Sequence, residues 1–458
     1  MKRIFAFLAM IATSGAVVAA EGPRTNIIAV VTDDQAAWTV GCYGNPEAKT
    51  PNMDRLAKEG ARFANAFSVT PVCSPSRASF MTGRHGIEVG ITDWIAPVEA
   101  AVGLPVGVET WPGLLQKAGY ETALVGKWHL GVNPDQHPTR RGFDHFFGHL
   151  GGGWSPKSPT FEVEGKQKTF DGLFSVDVMT DEVLRWMREN KDGPFAISVH
   201  YREPHVPYAP MPPEDEAVYK DLDPKIPDSP LLDRNKVKTA TRRYYSAIRA
   251  VDRNLGRILD ELDSLKLADR TIVMFTSDHG YNIGQHVIQH KGNGRWIAGG
   301  VEGPTRPNMW DTSLRIPLLI RWPGVARPNT VIDETVRNID TMATVCGMLG
   351  VPVAAGSQRG RDFSPLLRGE TPSDWDQDVY GAYDLHNGAL AYMRMVRTPK
   401  WKLVRHLKTN FMDELYDLAN DPGETRNLYD APAAQAEKAV LQAKLDAWRA
   451  SVGDPIKD

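Results

Sequence analysis

The chain has 458 residues, 42% hydrophobic and 24% charged, with 53 Lys and Arg against 56 Asp and Glu for a net charge of -3. That is enough apolar material for a large buried core, and the length suggests one large domain plus a smaller one. Basic residues are scattered rather than clustered, which excludes the electrostatic footprint of a nucleic-acid or anionic-membrane binder.

The opening MKRIFAFLAMIATSGAVVAAEGP joins Lys2 and Arg3 to an apolar run interrupted at Thr13-Ser14-Gly15, then small residues Val18-Ala19-Ala20 before Glu21. It reads as a secretory signal peptide over residues 1–20, too short and broken for a spanning anchor. No later segment approaches a membrane span, so the mature chain is expected to be periplasmic or secreted. Thiols oxidise there, yet the only cysteines are Cys42, Cys73 and Cys346, so disulfides do not hold the fold. Cys346 has helical spacing from Met342 and Val345 and reads as core, while Cys42 is a spectator or a partner for it.

In chain order, NIIAVV (26–31), TALV (122–125), FAISVH (195–200), TIVMF (271–275) and PLLIRW (317–322) are continuous apolar runs, the mark of strands buried on both faces. Ile248, Val251, Leu255, Ile258, Leu259 and Leu262 recur at helical spacing and predict one long helix. Strands alternating with helices imply an α/β sheet covered on both faces, with its site at the carboxyl ends of the strands.

Polar residues collect at those ends. Asp33 and Asp34 follow the first run, Gly126-Lys127-Trp128-His129 the second, His200 and His205 close and follow the third, and Asp278-His279 the fourth. Singly, each reads most simply as a turn, cap or solvated residue; their shared placement predicts one convergent site. Carboxylates from two loops suit a hard divalent cation, calcium first, although the nitrogen of His279 is more at home on zinc or another transition metal, so the residues leave the metal open.

Pro, Gly and charge rise together in GRDFSPLLRGETPSDWDQD, which predicts a boundary between a catalytic domain over residues 21–370 and a C-terminal subdomain over 371–458. There VYGAYD, AYMRMVRT and WKLVRH predict strands, followed by a closing helix from about Ala433 to Val452.

The lone Cys73 sits in TPVCSPSRASFMTG (70–83). This stretch resembles the sulfatase signature, in which C-x-P-S-R precedes T-G, and GYETALVGKWH (119–129) resembles that family's second signature. HYREPHVPY, TIVMFTSDHG and LYDLANDPGETRNL extend the resemblance along nearly the whole mature chain. It implies the alkaline-phosphatase-like α/β fold, a large and mostly parallel sheet between helices, with a smaller C-terminal α+β subdomain of antiparallel sheet and helix.

It also implies the chemistry. Cys73 would be oxidised by a separate formylglycine-generating enzyme to formylglycine, whose hydrate is a geminal diol. One oxygen of such a diol can attack a sulfate ester, and the other lets the product collapse and release sulfate, where a serine would be left sulfated. On the family's pattern, Asp33, Asp34, Asp278 and His279 with modified Cys73 would bind calcium. Arg77 and Lys127 would hold the diol and sulfate oxygens, His129 would take the proton that triggers collapse, and His205 would bind sulfate. A lysine after the second metal motif would serve as general acid. An insertion in HKGNGRWIAGGVEGPTRPNMWDTSLRIP leaves two matches for it: Lys291 by local Lys-Gly context and Arg306 by spacing, and Lys291 is favoured because arginine cannot usefully donate a proton.

His85, Asp93, Trp94, His149 and Trp154 are candidate pocket residues, with His386 and Arg394 weaker ones. The expected activity is sulfuric ester hydrolysis on a sulfated sugar or polysaccharide. The rivals are a phosphoester or phosphonate hydrolase of the same superfamily, and a non-catalytic glycan binder should Cys73 stay unmodified.

Overall fold

The computed structural model describes residues 24–457; the expected signal peptide lies outside them. A ten-stranded sheet runs, edge to edge, through Thr330–Arg337, Ala61–Phe67, Leu318–Arg321, Thr271–Ser277, Asn26–Thr32, Phe195–His200, Glu121–Lys127, His145–His149, Thr160–Val163 and Lys166–Thr169. The strands around Asn26–Thr32 are parallel. Leu318–Arg321 is antiparallel to both its neighbours, and the far edge ends in an antiparallel hairpin.

The apolar runs are continuous because each strand feeds two cores. Ile28 and Val30 face one, with Met53, Leu56, Val183 and Leu255; Ile27, Ala29 and Val31 face the other, with Phe80, Met81, Leu115 and Val345. The predicted long helix spans Arg234–Ser264, and all six residues of its apolar stripe are buried. Burying each contributes roughly 1.5–3 kcal/mol. Its first turn is capped by the Asp233 carboxylate, which accepts from the Lys236 backbone N–H at 3.1 Å.

Residues 368–378 lead out of this body into a four-stranded antiparallel sheet of Val379–Leu385, Ala391–Arg397, Trp401–Leu407 and Glu414–Asp417. The helix Gln435–Ser451 lays Leu441, Leu445 and Trp448 against it. Cys42, Cys73 and Cys346 are all free thiols, and Cys346 packs in the core, so the possible pairing of Cys42 with Cys346 is not formed. Among the described residues no helix is long and apolar enough to cross a membrane.

Candidate active site

Four strands end beneath one cleft. Asp33 and Asp34 leave Asn26–Thr32, Lys127 ends Glu121–Lys127 with His129 two residues on, His205 follows Phe195–His200, and Asp278 and His279 follow Thr271–Ser277. Asp34 and His129 have φ of 69° and 57°, conformations that turn the chain sharply as it leaves the strand.

Cys73 is the first residue of the helix Cys73–Thr82, which ends at Gly83 in the left-handed conformation and is buried throughout. Two of its polar side chains are satisfied within the helix: Ser79 and Thr82 donate to the carbonyls four residues earlier at 3.1 and 2.7 Å. Ser76 Oγ donates to the Asp278 carbonyl. One helical turn past Cys73, Arg77 reaches Asp278 Oδ2 with Nε at 3.1 Å and the Lys127 carbonyl with Nη1 at 3.3 Å. His200 faces away from the cleft and steadies that guanidinium, with Nδ1 3.0 Å from Nη1.

Three buried carboxylates each have a different nearest cation, and Asp33 also lies 3.7 Å from Arg77 and 4.0 Å from Lys291. Lys127 Nζ donates to Asp33 at 2.5 Å, Lys291 Nζ to Asp34 at 2.6 Å, and Arg77 pairs with Asp278 at 3.0 Å. Lys291 also stands 3.0 Å from Cys73 Sγ. Burial and Asp33 oppose thiolate formation, yet Lys127 and Lys291 outweigh them and hold the Cys73 thiol below its usual pKa. Burial pushes Asp34 up to about 7 against the pull of Lys291.

A ligand atom each from Asp33, Cys73, Asp278 and His279 falls within one 4.8 Å cluster, and another cluster joins Asp33, Asp34 and His205. Asp34 Oδ2 and His279 Nε2 are buried with no hydrogen-bond partner. His279 Nδ1 lies 2.9 Å from the Gly280 carbonyl and can donate to it, which leaves the Nε2 lone pair aimed among carboxylates. Despite burial, Asp278 raises this imidazole to about 9, so in the absence of a cation its proton supplies positive charge there. Orphaned oxygen and nitrogen donors around a buried cluster fit a divalent cation that would take that proton's place.

His129 Nε2 sits 3.0 Å from the Ile95 carbonyl, and its Nδ1 is buried without a partner. Burial and Lys127 hold it well below its usual pKa, so it is a neutral base with a free lone pair. His205 bonds the Val206 carbonyl through Nδ1 at 2.7 Å and places Nε2 3.7 Å from Asp34. Cys73, Lys127, His129, His205 and Lys291 line a cleft of about 1010 Å³, joined there by Trp94, His149 and Trp154.

The two candidates in the insertion separate. Lys291 follows the short strand Ile288–His290; Asn308 holds its carbonyl at 2.8 Å, and Gly292 donates to Pro71 O at 3.0 Å. A Cβ on Gly292 would lie 2.4 Å from the Pro71 ring, which accounts for glycine after this lysine. Arg306 instead pairs with Glu414 at 2.8 Å and stacks 5.0 Å over Trp310, away from the cleft.

Four pocket candidates are structural. His85 is buried beneath Trp448, with ring centroids 5.0 Å apart. Asp93 accepts from the Tyr383 hydroxyl and the backbone N–H groups of His386 and Asn387, each at 2.9 Å, tying the C-terminal sheet to the main body. His386 bonds Glu99 at 2.8 Å, and Arg394 is buried between Asp384 and Asp454. Sequence reasoning passed over Arg202, His290 and Asn293, which also line the cleft; the one available signal was that Arg202 lies between a strand end and His205.

Residues 25–351 match the family model described as Sulfatase, and residues 305–451 match that of the N-sulphoglucosamine sulphohydrolase C-terminal region. The chain is 28% identical to an N-acetylglucosamine-6-O-sulfatase of Bacteroides thetaiotaomicron, over 92% of this chain and 86% of the relative. It is 29% identical to an ulvan-active sulfatase of Formosa agariphila, over 95% and 83% respectively. A solved structure in complex with its substrate D-glucosamine-2-N,6-O-disulfate superposes with a TM-score of 0.82 at 26% identity, covering 94% of this chain and 99% of that one.

Proposed function

We propose that this chain, which belongs to the sulfatase family, is an exported enzyme that removes sulfate from a sulfated sugar or polysaccharide, with a catalytic domain to about residue 370 and a C-terminal subdomain beyond it. The observation that carries the reading is Cys73 at the cleft floor, 3.0 Å from Lys291 and within the cluster of Asp33, Asp278 and His279. Apolar packing explains neither the cations nor the orphaned donors around a cysteine.

Asp33, Asp34, Asp278 and His279 would hold a divalent cation, calcium by preference for oxygen donors. That ion would polarise the sulfate oxygens, and formylglycine made from Cys73 would supply the attacking hydroxyl. A divalent cation that displaces the His279 proton, together with a singly charged sulfate ester, leaves the net charge of the buried site unchanged.

The chain's own groups do the remaining work. Arg77, fixed by Asp278 and His200, and Lys127, fixed by Asp33, present positive charge to the equatorial oxygens as charge shifts in the transition state. The free Nδ1 of neutral His129 accepts the proton whose removal releases sulfate. His205 orients the leaving side, and Lys291 protonates the departing alcohol oxygen. Trp94 and Trp154 offer aromatic faces in the cleft for sugar rings, in keeping with the sugar sulfates named for the relatives.

Peptide mass spectrometry of protein from its native host, covering Cys73, tests this together with sulfate release from sulfated glycans. Conversion of the thiol to an aldehyde, with activity lost in Cys73→Ala, supports the reading. A quantitative thiol in active protein sinks it.

A further inference from the structure

The cleft contains a guanidinium that this chemistry leaves unused. Arg202 is 1% exposed and lines the cleft. Both terminal nitrogens donate to the Pro207 carbonyl at 3.3 Å, a bond to a neutral acceptor. Among the described residues no carboxylate lies within 4 Å of it, whereas Lys127, Lys291 and Arg77 have Asp33, Asp34 and Asp278, and Arg295 at the rim has Glu302 at 2.6 Å.

Its neighbour Glu203 turns away, accepting from Ser175 Oγ at 2.5 Å, and burial raises that carboxyl above its ordinary range. A buried guanidinium stays charged and is costly without a counter-charge. The adjoining wall has a second unanswered donor: Trp154 Nε1 is buried with no partner. Gly153, the residue before it, runs alongside Arg202, with an added Cβ 3.7 Å from Nε.

We propose that Arg202 binds a second anionic group on the substrate, a carboxylate or sulfate distinct from the sulfate that is cleaved. The inference rests on the sulfatase reading for the identity of the cleaved group and deepens it: the substrate is a polyanionic sugar rather than a singly sulfated neutral one. The arginine fork suits a planar carboxylate or two sulfate oxygens, and a cleft of about 1010 Å³ has room for more than one ring.

Calorimetric titration of Cys73→Ala, which keeps the cleft and removes the nucleophile, tests this with three probes: a monosulfated hexosamine, the same sugar carrying two sulfates, and a disaccharide joining the monosulfated hexosamine to a uronic acid. One doubly charged probe is expected to bind about tenfold to a hundredfold more tightly than the monosulfate. Adding Arg202→Gln removes that preference, Arg202→Lys keeps part of it, and the probe that wins identifies the anion as sulfate or carboxylate.

Equal affinity for all three probes overturns the proposal even if Arg202→Gln does not fold, and so does a preference that survives in either variant undiminished. Hydrolysis of the same probes by the native enzyme separates the two readings. An Arg202-dependent preference without sulfate release overturns the sulfatase reading and leaves the anion site standing; sulfate release without such a preference does the reverse.

Discussion

The Lys291 ammonium stands 3.0 Å from Cys73 Sγ, 218 residues away in sequence, and 2.6 Å from Asp34 Oδ1, joining Cys73 to the carboxylate cluster. Burial disfavours this charge, but Asp34 and Cys73 outweigh it and raise the lysine well above its ordinary pKa. Lys291→Ala is expected to lower kcat by about 10²–10⁴-fold, and Lys291→Arg to recover substrate binding better than turnover, because arginine keeps the charge without giving up a proton. Steady-state kinetics on one sulfated sugar checks both. Equal kcat in wild type and Lys291→Ala would remove Lys291 from the chemistry.

Metal dependence should appear first in stability. Asp33, Asp34 and Asp278 are all at most 3% exposed, and a cation bound only by the folded chain at a hundred times its Kd stabilises by about 2.7 kcal/mol. Calcium is expected to raise the melting temperature, EDTA to lower it and abolish activity, and Asp278→Asn to shrink the calcium-dependent shift. Calorimetry across calcium, magnesium and zinc reads the preference. A larger shift with zinc would assign His279 the decisive role, and no shift with any ion would rule out a metal centre here.

The site was legible because it depends on strand ends, which hydrophobic runs mark clearly. The run of Asn26–Thr32 ends at Asp33, and that of Thr271–Ser277 ends at Asp278. Less legible were strands where burial is one-sided: Ala61–Phe67 interrupts its apolar pattern with Arg62 and Asn65, since it lies one strand from the sheet edge. The hairpin strand Lys166–Thr169 is exposed throughout and carries no apolar signal. The run at 317–322 gave a strand but not its antiparallel direction, which side-chain pattern does not encode. Asp93 looked functional because charged loop residues often are, and Arg394 as a charged residue in the C-terminal region; their buried partners, Tyr383 and Asp454, are too distant in sequence to be paired by inspection.

The glycine loop after His149 sets how closely backbone approaches His129. A Cβ on Gly152 would sit 2.9 Å from both Cε1 and Nε2 of His129, closer than side-chain carbons come without displacement. Gly152→Ala is expected to shift the ring or the loop and lower kcat by about a hundredfold, with a small change in melting temperature. Gly153→Ala, whose Cβ would be 3.7 Å from its nearest neighbour, serves as the contrast. If both variants retain wild-type kcat, the loop does not position His129.

Arg306, the other candidate cation, is expected to control acid stability instead of catalysis. Burial alone would raise the Glu414 carboxyl, but the His406 hydrogen bond at 2.9 Å and the Arg306 charge at 2.8 Å outweigh it and bring the pKa down to about 2. Because the folded value is depressed, the stabilisation is fully present above the ordinary glutamate range and is lost as pH falls from about 5 towards 2, for a total of about 3 kcal/mol. Glu414→Gln should therefore flatten the fall in urea midpoint between about pH 6 and about pH 3. Arg306→Ala should be less stable at neutral pH, since it strands a buried carboxylate, while its folded fraction keeps the wild-type kcat. A loss of kcat in Arg306→Ala as deep as that of Lys291→Ala, with the fold intact, would return Arg306 to the sulfate site.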